Sequence, residues 1–356
     1  MEQSIRRIRM HLNPYRVAVL VPTKGRPEFI KRMLAYYESL ESSHPIYIGD
    51  ASNTTIAAEI LSIIKKLKIT VKYFHWEGVG PNQTIFKLAQ NALADNVTYC
   101  AFHGDDDFFV PKSLNLTAEF LHSNTNYKNC QGRGALFTLE QPGPKGRLAS
   151  IDDYWGVNEL EAESALERLQ YFVHHYYVLQ FSTHRTAEFV EVSQDYAEVQ
   201  NDSVGELLHC YSFALSGRSK FLDCLYLFRQ SHAAAQHPVI WDWLLKPDWG
   251  PDIQKMLHFL SARLANIDYL TYPQAEGEIK IVLKKILQNS AQKNKKQSMS
   301  YWNDLILKLR AKVPRWAKIG IRRIRSSPKD MRIIYSKKSL YQKEFIPVMN
   351  SLLTEK

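Results

Sequence analysis

Three consecutive carboxylates, Asp105-Asp106-Asp107, follow the strand-forming stretch Val97-Thr98-Tyr99-Cys100-Ala101-Phe102, with only His103-Gly104 between. Adjacent carboxylates repel one another, so such a cluster calls for a compensating cation. A hard divalent ion, Mg²⁺ or Mn²⁺, takes oxygen ligands and commonly bridges to substrate phosphates. Asp105 and Asp107 are two apart, which on extended backbone turns both to the same side. A strand that ends in this cluster places it at the carboxyl edge of a sheet, where open α/β sheets bind ligands. A solvated acidic turn is the plainer use of the same residues.

The elements upstream are those needed to hold such a cluster. Val17-Ala18-Val19-Leu20-Val21 is a continuous apolar run, the pattern of a strand buried on both faces. Pro22 is expected to stop it, with Thr23-Lys24-Gly25-Arg26-Pro27 as a loop. Residues 28–40 read as a helix with Phe29, Met33, Leu34 and Tyr37 on one side. A strand follows at 45–48 and runs into Gly49-Asp50-Ala51-Ser52-Asn53. A helix over 56–67, a strand over 70–74 and a helix over 83–93 complete the approach. Alternating strands and helices with short connections predict a parallel α/β sheet.

Beyond the cluster the pattern loosens. Helices are expected at 113–121, 159–169 and 203–216, the last capped by Gly217. Strands are expected at 134–139, 176–182 and 222–228. His103 reads as structural. Trp241, Trp243 and Trp249 are read first as core packing and second as a sugar-stacking surface.

The formal charge is +10, and it is concentrated late in the chain: residues 291–343 hold 16 Lys or Arg against two Asp. Cys100, Cys130, Cys210 and Cys224 show no metal-ligand spacing, consistent with a reducing compartment. No apolar run is long enough to span a bilayer, and the basic leader Met1–Arg16 lacks the apolar core of a secretory signal. Between Trp302 and Arg325 apolar residues alternate with Lys and Arg, interrupted by Pro314 and Gly320. This suits an anionic membrane surface, a nucleic acid or plain solvent, with the membrane preferred.

Val19-Leu20-Val21-Pro22-Thr23-Lys24-Gly25-Arg26-Pro27, the Gly49-Asp50-Ala51-Ser52 turn and Asp105-Asp106-Asp107, in this order, resemble the donor half of a family 2 glycosyltransferase with the GT-A fold. The resemblance covers residues 15–235 and is stronger in the first half. It implies a mixed, mainly parallel sheet flanked by helices, followed by a C-terminal helical basic extension. The implied organisation is a basic leader (1–16), a catalytic domain (17–248, split at 112/113 into nucleotide-sugar and acceptor halves), a helical segment (249–290) and a basic amphipathic tail (291–356).

The implied activity is metal-dependent, inverting transfer of a sugar from a nucleotide-diphosphate donor, a UDP-sugar, to a glycan or lipid-linked acceptor. The setting is polysaccharide biosynthesis in the cytoplasm, peripheral to the membrane. By the same resemblance Pro22, Thr23 and Arg26 lie against the nucleotide, Asp50 accepts from the base, and Asp105 and Asp106 contact the donor. Asp106 or Asp107, with His232, binds Mn²⁺ or Mg²⁺. Asn201-Asp202-Ser203 matches the second acidic motif, with Asn in place of its Glu, and nominates Asp202 as catalytic base. Asp202 as a helix N-cap is the competing reading. Arg185 is assigned to phosphate or acceptor, with a plain ion pair as the alternative. Two other functions stay open: a non-catalytic binder of nucleotide sugar or glycan on the same fold, and a nucleotidyltransferase.

Overall fold

The computed structural model describes residues 15–154, 158–232, 250–285 and 341–353. Its first half alternates strand and helix: β1 (Val17–Thr23), α1 (Pro27–Ser39), β2 (Ile46–Asp50), α2 (Thr54–Ile64), β3 (Val71–His75), α3 (Pro81–Ala94) and β4 (Tyr99–Phe102). Then come β5 (Phe108–Phe109), α4 (Pro111–Ser123), β6 (Tyr127–Leu139), β7 (Leu148–Asp153), α5 (Ala165–His174), β8 (Thr183–Arg185), α6 (Thr186–Ala197), α7 (Asp202–Ser216) and β9 (Arg218–Gln230). Two further helices are α8 (Gly250–Ile267) and α9 (Gln342–Leu352), and residues 272–285 are helical.

All the strands join one mixed sheet in the order β3-β2-β1-β4-β8-β6-β9-β5, with β7 on the side of β6. The β3-β2-β1-β4 half is parallel throughout. There α3 packs on β1 and β2, while α4 packs on β6 and β9 at the other end. The residues of β1 from Val17 to Val21 are fully buried, as their unbroken apolar run requires.

Pro22 does not stop β1, which continues to Thr23 beside β2. The ladder to β4 ends at Leu20 and Phe102, so on that side no strand partner is left for the N–H that proline lacks. Gly49 lies where α3 presses on β2. A Cβ there would stand 2.4 Å from Thr84 Cγ2 and 3.3 Å from Leu88 Cδ1, which explains why no acidic side chain precedes Asp50.

The second half departs further from the sequence-based reading. Residues 176–182 form no strand; a single 3-10 turn (Leu179–Phe181) leads into the three-residue β8. β7 and α6 were not anticipated, and β9 is longer than its apolar centre. Gly217 is extended, not left-handed; a Cβ there would lie 2.2 Å from Lys128 Cγ, so any larger residue would make that side chain shift.

The division at 112/113 cuts a continuous sheet, since β5 pairs with β9 and β4 with β8. α8 buries Met256, Leu260 and Leu264 and packs on α7. α9 buries Phe345, Val348 and Leu352 and packs on α1, so this part of the expected tail belongs to the core. The leader up to residue 14, Trp241, Trp243, Trp249 and the 302–325 stretch lie outside the described residues. No described helix is long and apolar enough to cross a membrane.

Candidate active site

After Phe102 the chain leaves β4 and turns, with Asp107 N donating to Gly104 O at 3.1 Å. Asp105 and Asp107 therefore do not share one side of an extended strand. Their carboxylates diverge, and each meets its own cation.

Asp105 turns back toward β1, where it accepts from Thr23 Oγ1 at 2.6 Å and pairs with Arg26 Nη1 at 2.7 Å. Asp107 turns toward β9. It is fully buried, pairs with Arg229 Nε at 3.0 Å and accepts from Gln230 N at 3.0 Å. Asp106 lies between them, 15% exposed, its Oδ2 2.8 Å from His232 Nε2 and 3.0 Å from Arg26 Nη2. The sequence separations are large, 82 residues from Thr23 to Asp105 and 126 from Asp106 to His232. Only the order of the strands brings these groups together.

Burial raises Asp105 to about 7, against the opposing pull of Arg26 and Thr23. Burial also raises Asp107, opposed by Arg229 and by the Gln230 N–H. For Asp106 burial again acts upward, but the hydrogen bond from His232 and the charge of Arg26 outweigh it and hold this carboxyl below its ordinary value. Asp106 is thus the member of the triplet most firmly ionised. It is also reachable from outside, together with His232 (22% exposed) and Arg26 (35% exposed).

The donor set fits a divalent ion in part. Asp106 and His232 converge, but among the described residues no three His, Cys, Asp or Glu side chains form a metal-binding group. Asp107 does not fit as a ligand, because both its oxygens are engaged. Arg26 and Arg229 supply compensating charge for the three adjacent carboxylates from within the protein, and His232 contacts Asp106.

The remaining nominated residues divide clearly. Pro22 sits half-buried beside Thr23, at the end of β1. Asp50 is fully buried, accepting from Ser52 N at 2.8 Å and Tyr73 OH at 2.6 Å. Ser52 Oγ in turn accepts from Gly25 N at 2.7 Å, so Asp50 braces the β1 loop through the neighbouring turn. Its place is structural, with no surface offered to a base.

Arg185 is displaced from its expected place. It pairs across the ladder with Tyr99, the first residue of β4, at the end of that strand opposite the acidic turn. Its guanidinium donates to Leu121 O and, at 3.3 Å, to Asn124 O. Asp202 is exposed at the first position of α7, and the N-cap is Asn201, whose Oδ1 accepts from Ser203 N and Val204 N at 3.1 Å. The capping role predicted for Asp202 thus belongs to the residue before it. His103 is structural: fully buried, it contacts Tyr37 OH and Gly104 O, and burial lowers it to about 4.

Sequence reasoning missed Arg32, Arg229, Gln230 and Tyr154. Arg229 lies between the rings of Tyr154 and Phe181 and donates to the Tyr154 hydroxyl. Arg32 donates to Asp106 O at 2.6 Å and to Gln230 Oε1 at 2.5 Å, tying α1 to the acidic turn and to β9. One signal for Arg32 was available: it lies three residues after Phe29 and four before Tyr36, so it shares the face of α1 that the aromatic residues bury.

No protein-family model matches the chain, and no curated protein matches it in sequence. Among solved structures, the crystal structure of S. aureus TarS 1-349 matches at 15% identity over 78% of this chain and 91% of that one, with a TM-score of 0.42. The same TarS fragment in complex with UDP-GlcNAc matches at 14% identity over 78% and 92%, with a TM-score of 0.42. The 4-diphosphocytidyl-2C-methyl-D-erythritol synthase from Anaerococcus prevotii DSM 20548 matches at 11% identity over 60% and 89%, with a TM-score of 0.36.

Proposed function

We propose that the chain is a glycosyltransferase that takes a sugar from a nucleotide-diphosphate donor, a UDP-sugar, and transfers it with inversion. The observation that carries this reading is the convergence of Thr23, Arg26, Asp105, Asp106 and His232 at the carboxyl edge of the parallel half-sheet. Arg26 is the partly exposed cation of the group, and a guanidinium recognises diphosphate oxygens through paired N–H donors. Asp105 and Thr23 fix its orientation. Asp106 and His232 are the two groups that would hold Mn²⁺ or Mg²⁺, with further ligands from donor oxygens and water. When bound, such an ion would help neutralise the charge that develops on the leaving diphosphate.

Transfer also requires removal of a proton from the acceptor hydroxyl. Asp202, exposed at the start of α7 and not serving as its cap, is the carboxylate we assign to that task. The acceptor class follows the family resemblance: a glycan or lipid-linked glycan, met at the inner face of a membrane.

Calorimetric titration with UDP, GDP and CDP, with and without Mn²⁺, tests the donor reading. UDP binding strengthened by Mn²⁺ is expected, and absence of nucleotide binding under every condition removes it. Asp202→Asn should keep donor affinity and lose at least about 100-fold in transfer rate; near-normal turnover would exclude Asp202 as base. A second reading is a non-catalytic nucleotide-sugar binder. It is favoured by the pairing of each of the three carboxylates with an arginine of the protein itself. Donor binding indifferent to Mn²⁺, without turnover of any sugar, would select it.

A further inference from the structure

One oxygen of the acidic turn is claimed twice. Asp106 Oδ2 lies 2.8 Å from His232 Nε2 and 3.0 Å from Arg26 Nη2, and those two nitrogens are themselves 3.4 Å apart. The other amino group of Arg26 is engaged elsewhere. Nη1 pairs with Asp105 Oδ1 at 2.7 Å, and Asp105 is fixed in turn by Thr23 Oγ1 at 2.6 Å. The guanidinium therefore bridges a buried carboxylate and a more open one.

The backbone on both sides of Arg26 is held in place. Gly25 N donates to Ser52 Oγ at 2.7 Å, and Arg26 O accepts from Phe29 N at 3.1 Å and Ile30 N at 3.2 Å. The side chain is less confined: it is partly exposed and lies over the Phe29 ring, with Cζ 3.9 Å from the centroid. Arg229 differs, being packed between Tyr154 and Phe181 while it donates to Asp107 and the Tyr154 hydroxyl. Of these two arginines, Arg26 is the one that can exchange a partner without opening the core.

We propose that Arg26 and the divalent ion compete for Asp106 Oδ2, so that the ion enters together with the donor diphosphate and not before it. The inference rests on the donor reading given above. Asp106 and His232 offer an ion two protein atoms, and Arg26 Nη2 stands 3.0 Å from one and 3.4 Å from the other. An ion taking both would face the guanidinium at close range, where like charges repel. A diphosphate resolves the conflict. Its oxygens add ligands to the ion and accept the N–H donors that Asp106 gives up. The contact to Asp105 remains as the pivot on which Arg26 turns.

The test follows binding of Mn²⁺ alone to the full chain, read from the electron paramagnetic resonance signal of the free ion. Arg26→Met should bind Mn²⁺ about tenfold more tightly than the wild type, or better; should that variant not fold, Arg26→Gln takes its place. Adding His232→Ala should remove the gain. Lys24→Met, which takes an exposed charge from the same loop, should leave Mn²⁺ affinity unchanged. UDP should tighten Mn²⁺ binding to the wild type by about tenfold or more. Three results overturn the proposal: no gain in Arg26→Met, a gain that persists without His232, or an equal gain in Lys24→Met, which would mark a general charge effect. If any of these accompanies UDP binding that still depends on Mn²⁺, the donor reading stands and only the competition falls. If UDP binding ignores Mn²⁺ and no variant binds the ion, both fall together.

Discussion

From β3 to β4 neighbouring strands are parallel and each connection is a single helix, whereas from β8 to β5 most ladders are antiparallel and Phe108 pairs with Phe228. The acidic turn sits on the seam. Its first carboxylate is held by the local half, through Thr23 and Arg26, and its last by the long-range half, through Arg229 and Gln230. The same ion pair therefore serves different ends on the two sides. Arg26, on a loop and partly exposed, is placed to meet a ligand. Arg229, packed between two rings on a strand, holds the seam closed.

The sharpest way to break this contrast is Arg229→Met. It leaves the fully buried Asp107 without its cation and should cost about 3–5 kcal/mol of stability by urea unfolding. Adding Asp107→Asn should recover part of that loss, because the stranded charge is removed. Arg26→Met should destabilise less, by about 1–3 kcal/mol, because Asp105 keeps Thr23 and Asp106 keeps His232, while weakening nucleotide binding by about 1.5–3 kcal/mol in the calorimeter. Equal destabilisation by the two variants would dissolve the distinction.

Gly49→Ala probes the local half alone. The added methyl meets Thr84 at 2.4 Å, and the strain should lower stability by about 1–3 kcal/mol in the same unfolding measurement.

A further effect expected is a change of slope with pH. Asp105 is raised from 3.8 to about 7 in the folded protein, so between those values the folded state keeps a proton that the unfolded state has released. Its contribution to stability is greatest at acid pH and is lost as pH rises through about 7. Buried His44 and His103, both lowered to about 4, tilt the curve the other way, since the unfolded state binds their protons first. The difference between the wild type and Asp105→Asn isolates the aspartate. Stability curves of the two proteins that run parallel from pH 4 to 8 would show that Asp105 is not raised.

The parallel half was largely legible because its signals are local. The apolar run of β1, the helix periodicity of α1 and the Gly49-Asp50 end of β2 are all readable within a dozen residues. β8 gives no such signal: its three residues become a strand because β4 and β6 flank them. Thr23, Arg26, Asp105, Asp106 and His232 lie together because β1, β4 and β9 end at the same edge. Asp50, Arg185 and Asp107 did not keep the roles that motif position implied, since burial, the far edge of the sheet and an ion pair claimed them.

What the sequence by itself determined is the alternation of strands and helices, the acidic cluster at a strand end and the set of side chains available to meet it. What the tertiary structure decided is which carboxylate is shut in with an arginine and which one shares its oxygen with a histidine. The reason is physical: periodicity and propensity belong to neighbours along the chain, whereas desolvation and ion pairing depend on groups that only a closed sheet brings together.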